Sequence, residues 1–195
     1  SDEELRSALT CLLGKVFWGM GRIEQAETLL REAHRDAMKA EIFCLAFEPL
    51  VYLACISRSH GNLSRAVEIC EQALALAPGS PLDTLAHNLL ASILYERNDL
   101  EVAAAHNTLG LHLNQLLGEK KTQVGLLWQS IMIAMALGDE AGALRLLQQF
   151  DEYATRDFGR YQSYVQALAH LPLAIRHGDL DEASRWGDLL VGLAS

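Results

Sequence analysis

The residues of this chain that could do chemistry are of types that bind, not types that break bonds. Trp18, Tyr95 and Trp128 offer flat aromatic faces, and Lys15, Glu48, Arg58, Asn88, Ser92 and Glu96 offer charge, amide and hydroxyl groups beside them. Aromatic faces with a few convergent polar groups suit a small organic ligand or a peptide. A sugar fits the same description, with its C–H face on indole and its hydroxyls on carboxylate or amide. The sequence has no G-x-x-x-x-G-K-[ST], no G-x-S-x-G, no H-E-x-x-H and no G-x-G-x-x-G after a strand. The seven histidines are scattered, and His106 and His112 are six apart, so they do not share a helical face. The carboxylates Glu24, Asp99, Glu101, Asp139, Glu140, Asp179, Asp181 and Glu182 fall where helices start, and the helix dipole accounts for them. Neither an enzyme nor a metal or cofactor site is expected.

Composition narrows the partners. Half of the 195 residues are apolar and about a fifth are charged, as in an ordinary folded domain. A formal charge of −9 would repel a phosphate backbone, so this chain is not expected to touch nucleic acid itself. Cys11, Cys44, Cys55 and Cys70 form no C-x-x-C and lie in apolar surroundings, which reads as buried free thiols in a reducing cytoplasm. The longest apolar stretch, residues 124–137, contains Gln129 and Ser130 and is too short to span a bilayer, so no membrane partner is expected.

The elements that must position these side chains announce themselves by repetition. Leu94-Tyr95-Glu96-Arg97-Asn98-Asp99-Leu100-Glu101-Val102-Ala103 reads as a helix end, a tight turn and a helix start. Asn98 suits a left-handed cap, and Asp99 suits the positive end of the next helix. The pattern recurs at Gly21, Gly61, Gly138 and Gly178, each followed five residues on by Ala26, Ala66, Ala143 or Ala183. The turns at 21, 61, 98, 138 and 178 are spaced by 40, 37, 40 and 40 residues. A near-constant period of this length means stacked helical repeats.

Taken in order, the repeats span about 4–40, 43–79, 82–118, 121–156 and 160–195, in a single repeat domain over 1–195. With Thr10 as the fourth position of a motif of about 34 residues, Leu13, Gly14, Phe17, Ala26 and Ala33 match the tetratricopeptide (TPR) pattern. Gly14, Ala26 and Ala33 are expected where helices cross, with Leu13, Phe17 and Leu30 as bulk. Pro78 falls on the closing proline of the second repeat, and Gly118-Glu119-Lys120-Lys121 reads as a loop. Ser130 and Ile131 replace the usual Leu-small pair in the fourth repeat. Pro172 should kink or shorten the first helix of the fifth, or strain it midway. The expected fold is all-α, about ten helices in five pairs stacked as a right-handed superhelix. The first helix of each pair would line its concave face, which places the nine binding-type residues above on that face.

One stretch is more specific. Ile93 to Ala103 resembles the "LYE.NDLE.A" segment of the large MalT-type, ATP-dependent LuxR-family transcriptional activators. The lead-in Ala86-His87-Asn88-Leu89-Leu90-Ala91, the follow-on His106-Asn107-Thr108-Leu109-Gly110-Leu111 and the Gly-Asp-Leu-Asp-Glu-Ala turn support it. The resemblance implies the sensor segment of such a regulator, bound by a small-molecule effector or a protein modulator. It implies self-association through the full-length protein and DNA contact only through a separate helix-turn-helix domain. Neither the ATPase nor the helix-turn-helix is present, so a fragment of a longer protein is expected, with further repeats beyond Ser195. The alternative is a general scaffold that captures a peptide. Clamps for acidic peptide tails gather several Lys and Asn, and here Glu48 and Glu96 oppose Lys15, Arg58 and Asn88.

Overall fold

The computed structural model describes residues 2–76, 78–153 and 159–194. Ten helices and no strand occur among them: α1 (Asp2–Gly19), α2 (Ile23–Lys39), α3 (Phe43–Ser59), α4 (Leu63–Leu76), α5 (Asp83–Glu96), α6 (Leu100–Leu117), α7 (Lys120–Leu137), α8 (Glu140–Tyr153), α9 (Gly159–His177) and α10 (Leu180–Ala194). They form two compact units, Ser1–Asp99 and Leu100–Ser195.

The five recurrent turns share one backbone motif. Gly21, Gly61, Asn98, Gly138 and Gly178 all have positive φ, from 64° to 80°. At each, the turn residue's N–H bonds the carbonyl three residues back, and the next N–H bonds the carbonyl five back. Gly21 N–Trp18 O is 3.0 Å and Arg22 N–Phe17 O is 2.9 Å; Asn98 N–Tyr95 O is 3.0 Å and Asp99 N–Leu94 O is 2.9 Å. This is the Schellman closure, which satisfies helix-end carbonyls that would otherwise lack partners. Only Gly, or Asn at some cost, enters that backbone region readily, and that explains the residue types. At three turns the side chain of the next residue caps the helix that follows. Asn62 Oδ1 accepts from Arg65 N (3.3 Å), Asp139 Oδ1 from Gly142 N (2.8 Å) and Asp179 Oδ1 from Glu182 N (3.0 Å). A sixth Schellman turn closes α2, with Glu41 at φ 57°.

In the first unit each helix packs on the next, and α3 also meets both α1 and α5. Small residues permit the close approach. Ala26, Ala33, Ala66 and Ala73 are fully buried. Gly14 sits so near α2 that a Cβ there would lie 2.9 Å from Leu30 Cγ. Leu30, Phe47, Ile56, Leu90 and Ile93 fill the space between. In the second unit α7 packs on α6, α8 and α9, and α9 on α8 and α10. A helix covered on several sides is apolar nearly all round, which suits the sequence of α7. Its Val124, Leu127 and Ile131 join Ala143, Phe150, Val165, Ala169 and Leu173 in one core.

Three local expectations change. Lys120 and Lys121 belong to α7 and not to a loop, because Glu119 caps the helix and its carboxylate accepts from Lys121 N and Thr122 N. Leu13 is 45% exposed, since among the described residues no helix covers that side of α1. It continues an exposed apolar stripe with Leu5, Leu9, Leu12, Val16 and Met20. The helix containing Pro172 is not shortened: α9 runs through it, as α3 runs through Pro49.

Candidate functional site

Eight of the nine expected site residues lie in the first unit, on α1, α3 and α5. Trp18 and Arg58 occupy the same repeat position, three residues before the left-handed turn residue, and so does Tyr95. Trp18 and Arg58 line one groove with Cys55, Ser59 and Glu96. Across it Arg58 donates from Nε to Glu96 Oε1 at 2.8 Å, and both side chains are more than a third exposed. A pair so placed contributes only about 0–1 kcal/mol to stability, and its groups stay available for exchange with a ligand.

Lys15 and Glu48 form a second polar cluster. Lys15 Nζ lies 2.6 Å from Glu48 Oε1 and 5.4 Å from the centre of the Tyr52 ring. The hydrogen bond to Glu48, opposed by partial burial, raises the Lys15 pKa. Cys11 lies beside them, its Sγ 3.9 Å from Glu48 Oε2; burial and then the Glu48 charge push this thiol up to about 11. Burial likewise raises Cys55, and drives Cys70 to about 12. Thiols held that high are protonated near neutrality and poor nucleophiles. Cys44 departs from the expectation of burial: it is exposed near the start of α3.

Asn88, Ser92 and Tyr95 are half-buried on α5 and line neither feature. Trp128 belongs to the second unit. It is half-buried against the core of that unit, and its indole Nε1 is buried without a hydrogen-bond partner. In the same unit Arg176 donates from Nη1 to Met135 O at 3.0 Å.

Residue typing by itself passed over a polar seam between α6 and α7. Asn107 and Asn114 are each 2% exposed. Asn107 Nδ2 donates to Leu126 O at 3.0 Å and to Ser130 Oγ. Asn114 Nδ2 donates to Glu119 O at 3.0 Å and Gln123 Oε1 at 2.9 Å. A signal for both was present. Aligned by repeat, Asn107 stands in the column of Leu30, Cys70 and Leu147, and Asn114 in the column of Ala37. An amide in a column of apolar residues is a departure that needs a reason.

Comparison with known proteins now has a fold and a geometry to refer to. The model of the MalT-like TPR region matches residues 1–188. The chain belongs to that family. Among solved structures, the MalT-like region is similar to the apo form of RapI, with a TM-score of 0.76 at 12% identity over 100% of this chain. It spans 65% of the length of RapI. It is also similar to nearly identical TPR-like repeats from Podosopora anserina, with a TM-score of 0.68 at 16% identity, covering 100% of this chain and 96% of that one. For MamA the TM-score is 0.56 at 15% identity, covering 93% and 94%. At such identities these likenesses speak to fold alone. No curated protein matches this MalT-like region in sequence. Among the described residues no helix is long and apolar enough to cross a membrane.

Proposed function

We propose that this MalT-like TPR region is the effector-sensing segment of a LuxR-family transcriptional activator. It binds a small-molecule inducer or a protein modulator on the face carried by α1, α3 and α5. The observation that carries the reading is the groove in which Trp18, Arg58 and Glu96 meet. It offers an indole face beside an exposed, exchangeable ion pair. An uncharged polar ligand can stack on the indole and bond both charged heads without leaving either unpaired. The Lys15–Glu48 pair, with Asn88, Ser92 and Tyr95, extends the face. Binding there controls self-association of the longer protein only so far as the ligand favours one of its states over another. DNA is reached through a separate domain.

The paired charges argue against the alternative of a clamp for acidic peptide tails, because the Glu48 and Glu96 carboxylates beside Lys15 and Arg58 repel an anionic tail. The test is a thermal-shift screen with sugars, small organic acids and aromatic metabolites. Tryptophan fluorescence is read in parallel on Trp128→Phe/Trp186→Phe, in which Trp18 is the remaining emitter. The expected result is a saturable rise in Tm that perturbs Trp18 and is lost in Arg58→Ala with helicity unchanged. A ligand whose effect survives both Arg58→Ala and Trp18→Phe would overturn this placement.

A further inference from the structure

Within the first unit, α2, α3 and α4 bound a second groove. On α3 it is lined by Leu50, Leu53, Ser57 and His60, whose spacing puts them on one face of the helix. That stripe leaves out Glu48, Cys55 and Arg58, so the groove is separate from the face just described. Its volume is about 350 Å³, within the range of small-molecule sites. The buried Leu50, Leu53 and Ile69 give it an apolar base.

Its walls carry an excess of positive charge, in a chain whose formal charge is −9. Arg31 comes from α2 and Arg65 from α4, and their side chains are 68% and 52% exposed. Each bonds a glutamate of its own helix. Arg31 Nη2 lies 2.6 Å from Glu27 Oε1, and Arg65 Nη1 lies 2.8 Å from Glu68 Oε2. Exposed pairs of this kind are weak and exchange readily. Glu27 lines the groove, but Glu68 does not. Two guanidinium groups therefore stand against one carboxylate. In the groove of Trp18, by contrast, Arg58 meets Glu96 one to one. His34 and His60, the other titratable side chains of the walls, bring no negative charge.

We propose that this groove binds the phosphate group of a small phosphate ester. A phosphate dianion matches two guanidinium groups in charge. Its three terminal oxygens can accept from guanidinium forks on two helices at once, whereas the two oxygens of a carboxylate are satisfied by one fork. The body of the ester lies on Leu50, Leu53 and Ile69. Glu27 competes with the phosphate for Arg31, so it limits affinity.

The probes are phenyl phosphate, benzoate and 4-methylphenol, titrated at pH 8 into the 15N-labelled chain and followed by amide chemical shifts. Phenyl phosphate should give saturable shifts at Leu53, Ser57, Arg65 and Ile69. Benzoate should bind about tenfold more weakly, the scale of one charge-assisted hydrogen bond, and uncharged 4-methylphenol should give no saturable shift. Arg31→Gln/Arg65→Gln should abolish the response to phenyl phosphate. Glu27→Gln should tighten it about threefold by freeing Arg31, the scale of one exposed ion pair. Glu24→Gln, on the same helix but outside the groove, should leave it unchanged. The proposal is overturned if phenyl phosphate gives no saturable shift, or if benzoate or 4-methylphenol binds as tightly. It is also overturned if the double arginine variant binds undiminished, or if Glu24→Gln tightens binding as much as Glu27→Gln. The comparison of the three probes needs no variant, so it stands whatever the substitutions do to stability.

Discussion

Asn107 on α6 and Ser130 on α7 are hydrogen-bonded to each other, and each departs from the repeat pattern at its own position. Asn107 replaces an apolar core residue, and Ser130 replaces the large member of the Leu-small pair. Two departures on facing helices form one polar contact of the α6–α7 seam.

Their energies should therefore be coupled. Ser130→Ala leaves Asn107 Nδ2 with Leu126 O alone and should cost about 1 kcal/mol. Asn107→Leu with Ser130 retained should cost more than Asn107→Leu with Ser130→Ala, because the second replaces both partners by apolar groups. Urea unfolding of the two single variants and the double should give a coupling of about 0.5–1.5 kcal/mol. Additive changes would mean that the contact contributes nothing as a pair.

Glu119 should make the stability of α7 depend on pH. Burial opposes its charge, but bonds from Thr122 and from the Lys121 backbone outweigh it, and its pKa lies below 4.5. A carboxyl depressed in the folded state adds stability above its unfolded pKa and loses it as pH falls through the folded value. Glu119→Gln should thus be destabilised by about 1 kcal/mol at pH 7. The gap from the parent should narrow below pH 4.5. Thermal melts at pH 7 and pH 3.5 would decide it, and an equal gap at both would exclude the charge as the cause.

Glu41 has φ 57° in a turn where the five recurrent turns use Gly or Asn. A left-handed backbone costs an L-residue about 1–2 kcal/mol, partly offset by the chain entropy that Gly loses on folding. Glu41→Gly should raise the urea midpoint by the equivalent of ~1 kcal/mol. Gly61→Ala, at φ 74°, should lower it by a similar amount. A Glu41→Gly variant with a lowered midpoint would show that Glu41 makes contacts worth more than the strain.

Gly14 is set by its neighbour. Any Cβ there lies 2.9 Å from Leu30 Cγ and 3.1 Å from Cδ2, and Leu30 is fully buried. Gly14→Val should cost about 1–3 kcal/mol by overpacking. Combined with Leu30→Ala it should cost less than the sum of the two, since the valine refills part of the cavity. Thermal unfolding of the three variants measures this, and strict additivity would mean the two residues do not touch.

The all-α class, the helix pairs and their turns were legible in the residues alone, because those properties are local. A Schellman turn is written in one Gly or Asn, and the crossing residues recur at a fixed distance from it. Burial of Gly14, Ala26 and Ala33 follows from that register. The helix through Pro172 was not decided locally, because packing of α9 against α7, α8 and α10 can hold a helix that its own propensity would break. Nor was exposure of Leu13 and Cys44, which depends on what packs against α1 and α3. The groove of Trp18, Arg58 and Glu96 and the seam of Asn107 and Ser130 each join residues 20 or more apart in the chain. Sequence alone fixed which side chains were available; only the stacking of helices decided which of them meet, because contact across helices depends on axial offset and rotation that no single helix encodes.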